Sequence, residues 1–219
     1  MPTGGGKSIT FQVASMMMQG TCIVVTPLIA LMKDQVSHLR DIGIKATAIY
    51  SGMTRDEILR SLENCILGDY KFLYISPERI ASELFQAKLA HMTVNLITVD
   101  EAHCISQWGY DFRPSYLQIN TLRKLKPEAP VLALTASATP TVVNDIQDKL
   151  NFKEKNVFRM SFARPNLAYS VMEVNNKDTA LLHILKNTEG SAIIYTRNRE
   201  QTAEIAKYLT ENNISALHY

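Results

Sequence analysis

The sequence predicts an α/β fold built on a parallel sheet, and two observations carry that prediction. Short runs rich in β-branched residues recur between longer stretches with helical spacing. Those runs are apolar throughout, as expected of strands buried on both faces by crossover helices, whereas a half-exposed strand would alternate.

In chain order, a helix is expected to begin near Lys7 and to end at Met16-Met17-Met18, three methionines read as adaptable core filling. Strands are expected at 21–25, 47–49, 72–75, 96–99 and 131–134. Between the first two, Leu28, Leu31, Met32, Val36 and Leu39 form a helical stripe, and Ile58, Leu62, Cys65 and Ile66 repeat it. The polar stretch 151–155 and the Ala163-Arg164-Pro165-Asn166 segment mark a break, because proline blocks helix continuation. Beyond it the alternation restarts, with strands near 168–173 and 192–195 and helices at 178–185 and 199–209. The expected organisation is one α/β domain at 1–159, a linker at 160–167 and the start of a second at 168–219.

Composition excludes the unusual classes. Of 219 residues, 46% are hydrophobic and 20% charged, which suits a globular chain with a real core. A net charge of +2 leaves the partner open. Cys22, Cys65 and Cys104 are widely spaced without a C-x-x-C pair, so no disulfide framework or zinc site is suggested, and they read as reduced core thiols of a cytosolic protein. No apolar run approaches the roughly 18 residues of a membrane helix, and the start lacks the features of a signal peptide. No membrane partner is expected, and the expected place of action is the cytoplasm.

Thr3-Gly4-Gly5-Gly6-Lys7-Ser8 closes as a P-loop does, with Met1 where the usual pattern has its first glycine. Alone, a triple glycine before a helix is an ordinary turn; Lys-Ser directly after it favours phosphate binding. The glycines let consecutive N–H groups point inward at phosphate, and the following helix adds its positive end. Lys7 would reach the β and γ phosphates, and Ser8 would hold magnesium. Met1 and Pro2 alone precede the loop, so its supporting strand is expected to lie outside this sequence.

The apolar run at 95–99 ends in Asp100-Glu101-Ala102-His103, which places carboxylates at the carboxyl edge of the sheet, where open α/β folds bind ligands. Asp100 would coordinate the magnesium and Glu101 would polarise the attacking water. His103 would couple the site to neighbouring loops. Two acids after a strand are usually a solvated turn, but with the P-loop upstream they argue for NTP hydrolysis.

The tetrad, which resembles that of superfamily 2 helicases, continues as Cys104-Ile105-Ser106-Gln107-Trp108-Gly109-Tyr110-Asp111-Phe112-Arg113-Pro114-Ser115-Tyr116. This stretch resembles the aromatic-rich loop of RecQ helicases. The similarity extends to Val25-Thr26-Pro27-Leu28, Ser76-Pro77-Glu78-Arg79, Leu134-Thr135-Ala136-Ser137-Ala138-Thr139 and Ser161-Phe162-Ala163-Arg164-Pro165-Asn166, and so covers essentially the whole chain. Trp108 and Phe112 offer flat faces for stacked bases, and Arg113 offers a cation. The resemblance implies a RecA-like P-loop domain followed by the first part of a second RecA-like domain. It implies ATP and Mg2+ as cofactors, single-stranded DNA and single/double-strand junctions as partners alongside DNA repair proteins, and 3′ to 5′ unwinding in the bacterial cytosol at the nucleoid. It places Thr26, Pro27, Ser76 and Pro77 along the DNA strand. Ser137 and Thr139 would couple hydrolysis to domain movement, and Gln107, Trp108, Phe112, Arg113 and His103 would sense DNA and relay it to the ATP site. Thr139 before Pro140 also reads as a helix cap. Ile193-Ile194-Tyr195-Thr196-Arg197 resembles the opening motif of the second domain.

Complete RecQ motors carry an adenine-reading glutamine motif before the P-loop and a phosphate-contacting arginine late in the second domain. Both are expected to lie outside this sequence, so the chain by itself is expected to unwind little. Two other readings stay open: a DNA-binding domain without turnover, and a DEAH-type RNA helicase, from which residues 107–113 distinguish it. A small-molecule P-loop kinase is a remote third, without a visible substrate lid.

Overall fold

The computed structural model describes residues 1, 4–161, 163 and 166–219. It divides into two compact units, Met1–Ala163 and Arg164–Tyr219.

The first unit alternates helix and strand: α1 (Lys7–Met16), β1 (Thr21–Val25), α2 (Ile29–Asp41), β2 (Ala46–Ile49), α3 (Arg55–Leu67), β3 (Phe72–Ile75), α4 (Glu83–Leu89), β4 (Val94–Val99), α5 (Ile119–Leu125), β5 (Val131–Ala133) and α6 (Pro140–Lys149). Its five strands are all parallel in the order β2-β3-β1-β4-β5. The continuous apolar runs have the expected cause. Cys22 and Val24 of β1 join a cluster with Phe11 of α1 and Met32, Val36 and Leu39 of α2. Ile23 and Val25 enter a second cluster with Leu62 of α3, Phe85 of α4, Ile119 of α5 and Val142 of α6. Successive strand residues point to opposite faces, and helices cover both.

Helix ends follow local chemistry. Thr54 and Glu57 form a reciprocal capping box at α3, and Thr139 caps α6, accepting from the Val142 N–H, with Pro140 in the first helical turn. Buried Asn95 ties the end of α1 to the sheet: its amide donates to the Ser15 and Gly20 carbonyls at 3.2 and 3.0 Å, and its Oδ1 accepts from the Ser15 hydroxyl. The three cysteines are free and buried.

Two expectations fail. Of the methionines ending α1, Met18 packs against the core, but Met16 is 43% and Met17 84% exposed, because the helix stops at Met16 and turns Met17 outward. In the second unit, α7 (Lys177–Lys186) and α8 (Arg199–Glu211) form, whereas 168–173 and 192–195 adopt no strand among the described residues. An extended segment needs a neighbour for its N–H and C=O groups, and these segments do not pair with one another.

Candidate functional site

The candidate site lies at the carboxyl ends of β1, β4 and β5, where three loops converge. Gly4 and Gly6 have φ of +72° and +81°, a left-handed backbone that a side chain would strain. No side chain caps α1 at Gly6, so the first N–H groups of the helix remain available to an anion. Lys7 and Ser8, both half-buried, open this helix. Thr3 lies outside the described residues.

At the end of β4, Asp100 is buried, its N–H bonded to the Val25 carbonyl at 2.9 Å. Burial raises its carboxyl pKa, and neighbouring Glu101 raises it further; the Glu101 N–H, bonded at 3.0 Å, and the Lys7 ammonium oppose the shift. Lys7 thus acts electrostatically on the acidic motif from the glycine loop. Glu101 itself has φ 46° and ψ 46°, a left-handed conformation uncommon outside glycine. Ser8 and Asp100 carry oxygen atoms, the donor type that a hard cation such as Mg2+ would require.

His103 is the hub of the site. Its Nδ1 lies 2.9 Å from Thr135 Oγ1 and 3.3 Å from Glu101 Oε2. Burial lowers its pKa, so at neutral pH the imidazole is neutral and the 3.3 Å approach of Glu101 Oε2 is not an ion pair. Thr135 also accepts the Ser137 N–H at 3.1 Å. Tyr110 stacks on the His103 ring, with centroids 4.7 Å apart, and its hydroxyl accepts from Ser137 Oγ at 3.2 Å.

The loop after His103 is therefore fastened at several points. The Arg113 N–H donates to the Cys104 carbonyl at 2.8 Å, and its guanidinium donates to Asp111 Oδ2 at 3.0 and 3.1 Å and to the Pro27 carbonyl at 3.3 Å. A Cβ on Gly109 would sit 2.8 Å from the His103 carbonyl oxygen, so this close crossing requires glycine. Phe112 is half-buried beneath the Lys149 ammonium, whereas Gln107 is exposed and Trp108 is 76% exposed.

The structure brings Lys7, Asp100, Glu101, His103, Ser137 and Arg113 into one connected region. Thr26 and Ser76 are placed differently: they are buried, and their hydroxyls have no hydrogen-bond partner. Pro77 is buried as well, Pro27 is half-buried, and exposed Thr139 is occupied as a cap. Sequence reasoning omitted Tyr110 and Thr135, although both lie inside stretches it singled out. A third aromatic between Trp108 and Phe112 was the available signal for Tyr110.

The profile of the DEAD/DEAH box helicase family matches residues 1–146. Over its full length the chain is 44% identical to the ATP-dependent DNA helicase RecQ of Bacillus subtilis and 39% identical to that of Pasteurella multocida. It is 38% identical to the ATP-dependent DNA helicase Q5 of Mus musculus. The chain spans 37%, 35% and 24% of these three relatives. Among solved structures, the DUF1998 helicase MrfA aligns with 97% of the chain at TM-score 0.68 and 15% identity, covering 35% of that protein. The Hef helicase domain of Pyrococcus furiosus aligns with 70% at 0.52 and 21% identity, covering 33%. At such identities these two speak to the fold alone. No helix among the described residues is long and apolar enough to cross a membrane. A glycine loop facing an Asp-Glu-Ala-His turn across a parallel sheet, together with a family match over the same residues, settles the grouping: the chain belongs to the DEAD/DEAH box helicase family.

Proposed function

We propose that the chain is the nucleotide-binding portion of a RecQ-type DNA helicase that couples ATP hydrolysis to 3′ to 5′ movement along single-stranded DNA and to duplex unwinding in recombination and repair. In this reading, residues 1–159 form the ATP-binding domain, 160–167 the linker and 168–219 the opening of a second RecA-like domain. Gly4, Gly5, Gly6 and Lys7 hold the phosphates, Ser8 and Asp100 hold Mg2+, and Glu101 orients the attacking water. Magnesium supplies neutralisation of the charge that develops on the transferring phosphate. Single-stranded DNA and its junctions with duplex are the substrate, which puts the protein wherever the cell keeps its DNA.

The observation that supports this best is the stacking of Tyr110 on His103 at 4.7 Å, with Ser137 on the Tyr110 hydroxyl. A base stacking on Trp108 moves a loop that is in direct contact with the histidine beside Glu101. Trp108 and Gln107 face solvent, Arg113 and Phe112 anchor the loop from below, and Ser137 and Thr139 sit on the connection to α6. The buried hydroxyls of Thr26 and Ser76 support a positioning role for those turns, with neighbouring backbone facing the strand.

ATP hydrolysis by the chain, measured alone, with single-stranded DNA and with single-stranded RNA of equal length, tests the reading. DNA-selective stimulation supports the reading, and in a longer protein that carries the phosphate-contacting arginine Lys7→Ala should abolish nucleotide use. RNA-selective stimulation would replace the proposal with a DEAH-type RNA helicase. DNA binding without ATP binding would replace it with a non-catalytic DNA-binding module.

A further inference from the structure

From the packing of the loop against the acidic motif, we infer that His103, Cys104 and Asp111 form a site for a soft divalent cation of the zinc or cadmium class, separate from the magnesium position. The ligand atoms of these three residues all lie within 4.8 Å of one another. Cys104 Sγ is 3.8 Å from His103 Nε2 and 3.7 Å from Asp111 Oδ2. Tetrahedral zinc has bonds of about 2.3 Å to sulfur and about 2.0 Å to nitrogen or oxygen, which puts sulfur and either partner about 3.6 Å apart. The two edges at sulfur match that spacing; on binding, the edge between His103 and Asp111, within 4.8 Å, closes to about 3.3 Å and Asp111 Oδ2 exchanges a hydrogen bond from Arg113 for the ion.

The surroundings favour coordination. His103 Nδ1 faces Glu101 Oε2 and Thr135 Oγ1, and the tautomer that carries its proton on Nδ1 leaves Nε2, 3.8 Å from the sulfur, free to donate a lone pair. A carboxylate behind a ligating histidine is the usual outer support of a zinc site. His103 and Cys104 are buried, whereas the Asp111 side chain is 41% exposed, so an ion has a path in and a solvent-facing fourth position. On binding, the Cys104 S–H bond breaks, the proton leaves to solvent and a metal–sulfur bond forms without redox change. The thiolate with the Asp111 and Glu101 carboxylates balances the charges of the ion and Arg113. Thiolate selects against Mg2+, an oxygen-seeking ion, so the two positions discriminate by chemistry.

Because the ligands come from both the Asp-Glu-Ala-His turn and the following loop, a bound ion pins that loop down. If the helicase reading holds, the ion suppresses DNA-stimulated hydrolysis; binding itself does not depend on that reading. The test is titration of the chain with Cd2+ in excess Mg2+, following the thiolate-to-cadmium charge-transfer band and the fluorescence of Trp108, the single tryptophan. A single saturating equivalent that changes both signals is expected. Cys104→Ser should abolish the band and Cys65→Ser should retain it. Asp111→Asn, on a half-exposed loop residue that leaves the core untouched, should weaken binding about tenfold or more. Absence of the band in the unaltered chain, its persistence in Cys104→Ser, or unchanged affinity in Asp111→Asn would each overturn the inference. Cadmium taken up at the magnesium position gives no thiolate band and also counts against it.

Discussion

Two apolar segments of similar appearance end up in opposite states. Thr21–Val25 is buried at every residue, held between β3 and β4. In the stretch 192–195, Ile193 is 72% and Tyr195 87% exposed, with no ladder among the described residues. Their composition barely differs; their neighbours do. A β-branched run is an invitation to pair, and its free energy is realised when other strands supply hydrogen bonds and helices supply cover. The first unit has clusters on both faces of a sheet, whereas among the described residues Ala206 and Leu209 are the buried hydrophobic residues of the second.

The largest consequence concerns backbone protection. Amides of β1, β3 and β4 should exchange with deuterium about a thousandfold or more slowly than those of 168–173 and 192–195. Equal protection of the two sets would break the comparison. Next in size is truncation at matched positions: Ile97→Ala in fully buried β4 should destabilise the first unit by about 2–5 kcal/mol in denaturant unfolding, while Ile193→Ala should stay within about 0.5 kcal/mol. A smaller cost, about 1–3 kcal/mol, is expected for Asn95→Ala, which strips the end of α1 of its sheet partner.

The smallest effect is a titration inside the ordered unit. Burial holds the His103 pKa below its ordinary 6.5, so between the two values the unfolded chain binds more protons than the folded one. Its contribution is complete above 6.5 and is lost as pH falls through the depressed folded pKa. The stability difference between the unaltered chain and His103→Asn should shrink in that acidic window, and the His103 ring resonances should titrate below 6.5. A midpoint above 6.5 would mean that the Asp111 and Asp100 carboxylates outweigh burial.

Much of the first unit was legible because its signals are local. The strands show as unbroken apolar runs, α2 and α3 as stripes, and the glycine loop and Asp-Glu-Ala-His turn as contiguous motifs. What escaped was set by contacts distant in sequence. Thr135 reaches His103 across 32 positions, and Tyr110 meets both His103 and Ser137 because the loop folds back over Gly109. Burial of the Thr26 and Ser76 hydroxyls arises because the two turns follow β1 and β3, which pair at Val25 and Ile75. The ligand set at Cys104 was hidden for a related reason: no pair of cysteines announces it, and its third member comes from the folded-back loop.

The left-handed backbone at Glu101 sets the role proposed for its carboxylate against stability at a single residue. Judged by conformation alone, glycine or asparagine suits φ 46°, and a long side chain there costs the fold of order 1 kcal/mol. A procedure that redesigned this backbone for thermal robustness would replace the very carboxylate that faces the histidine.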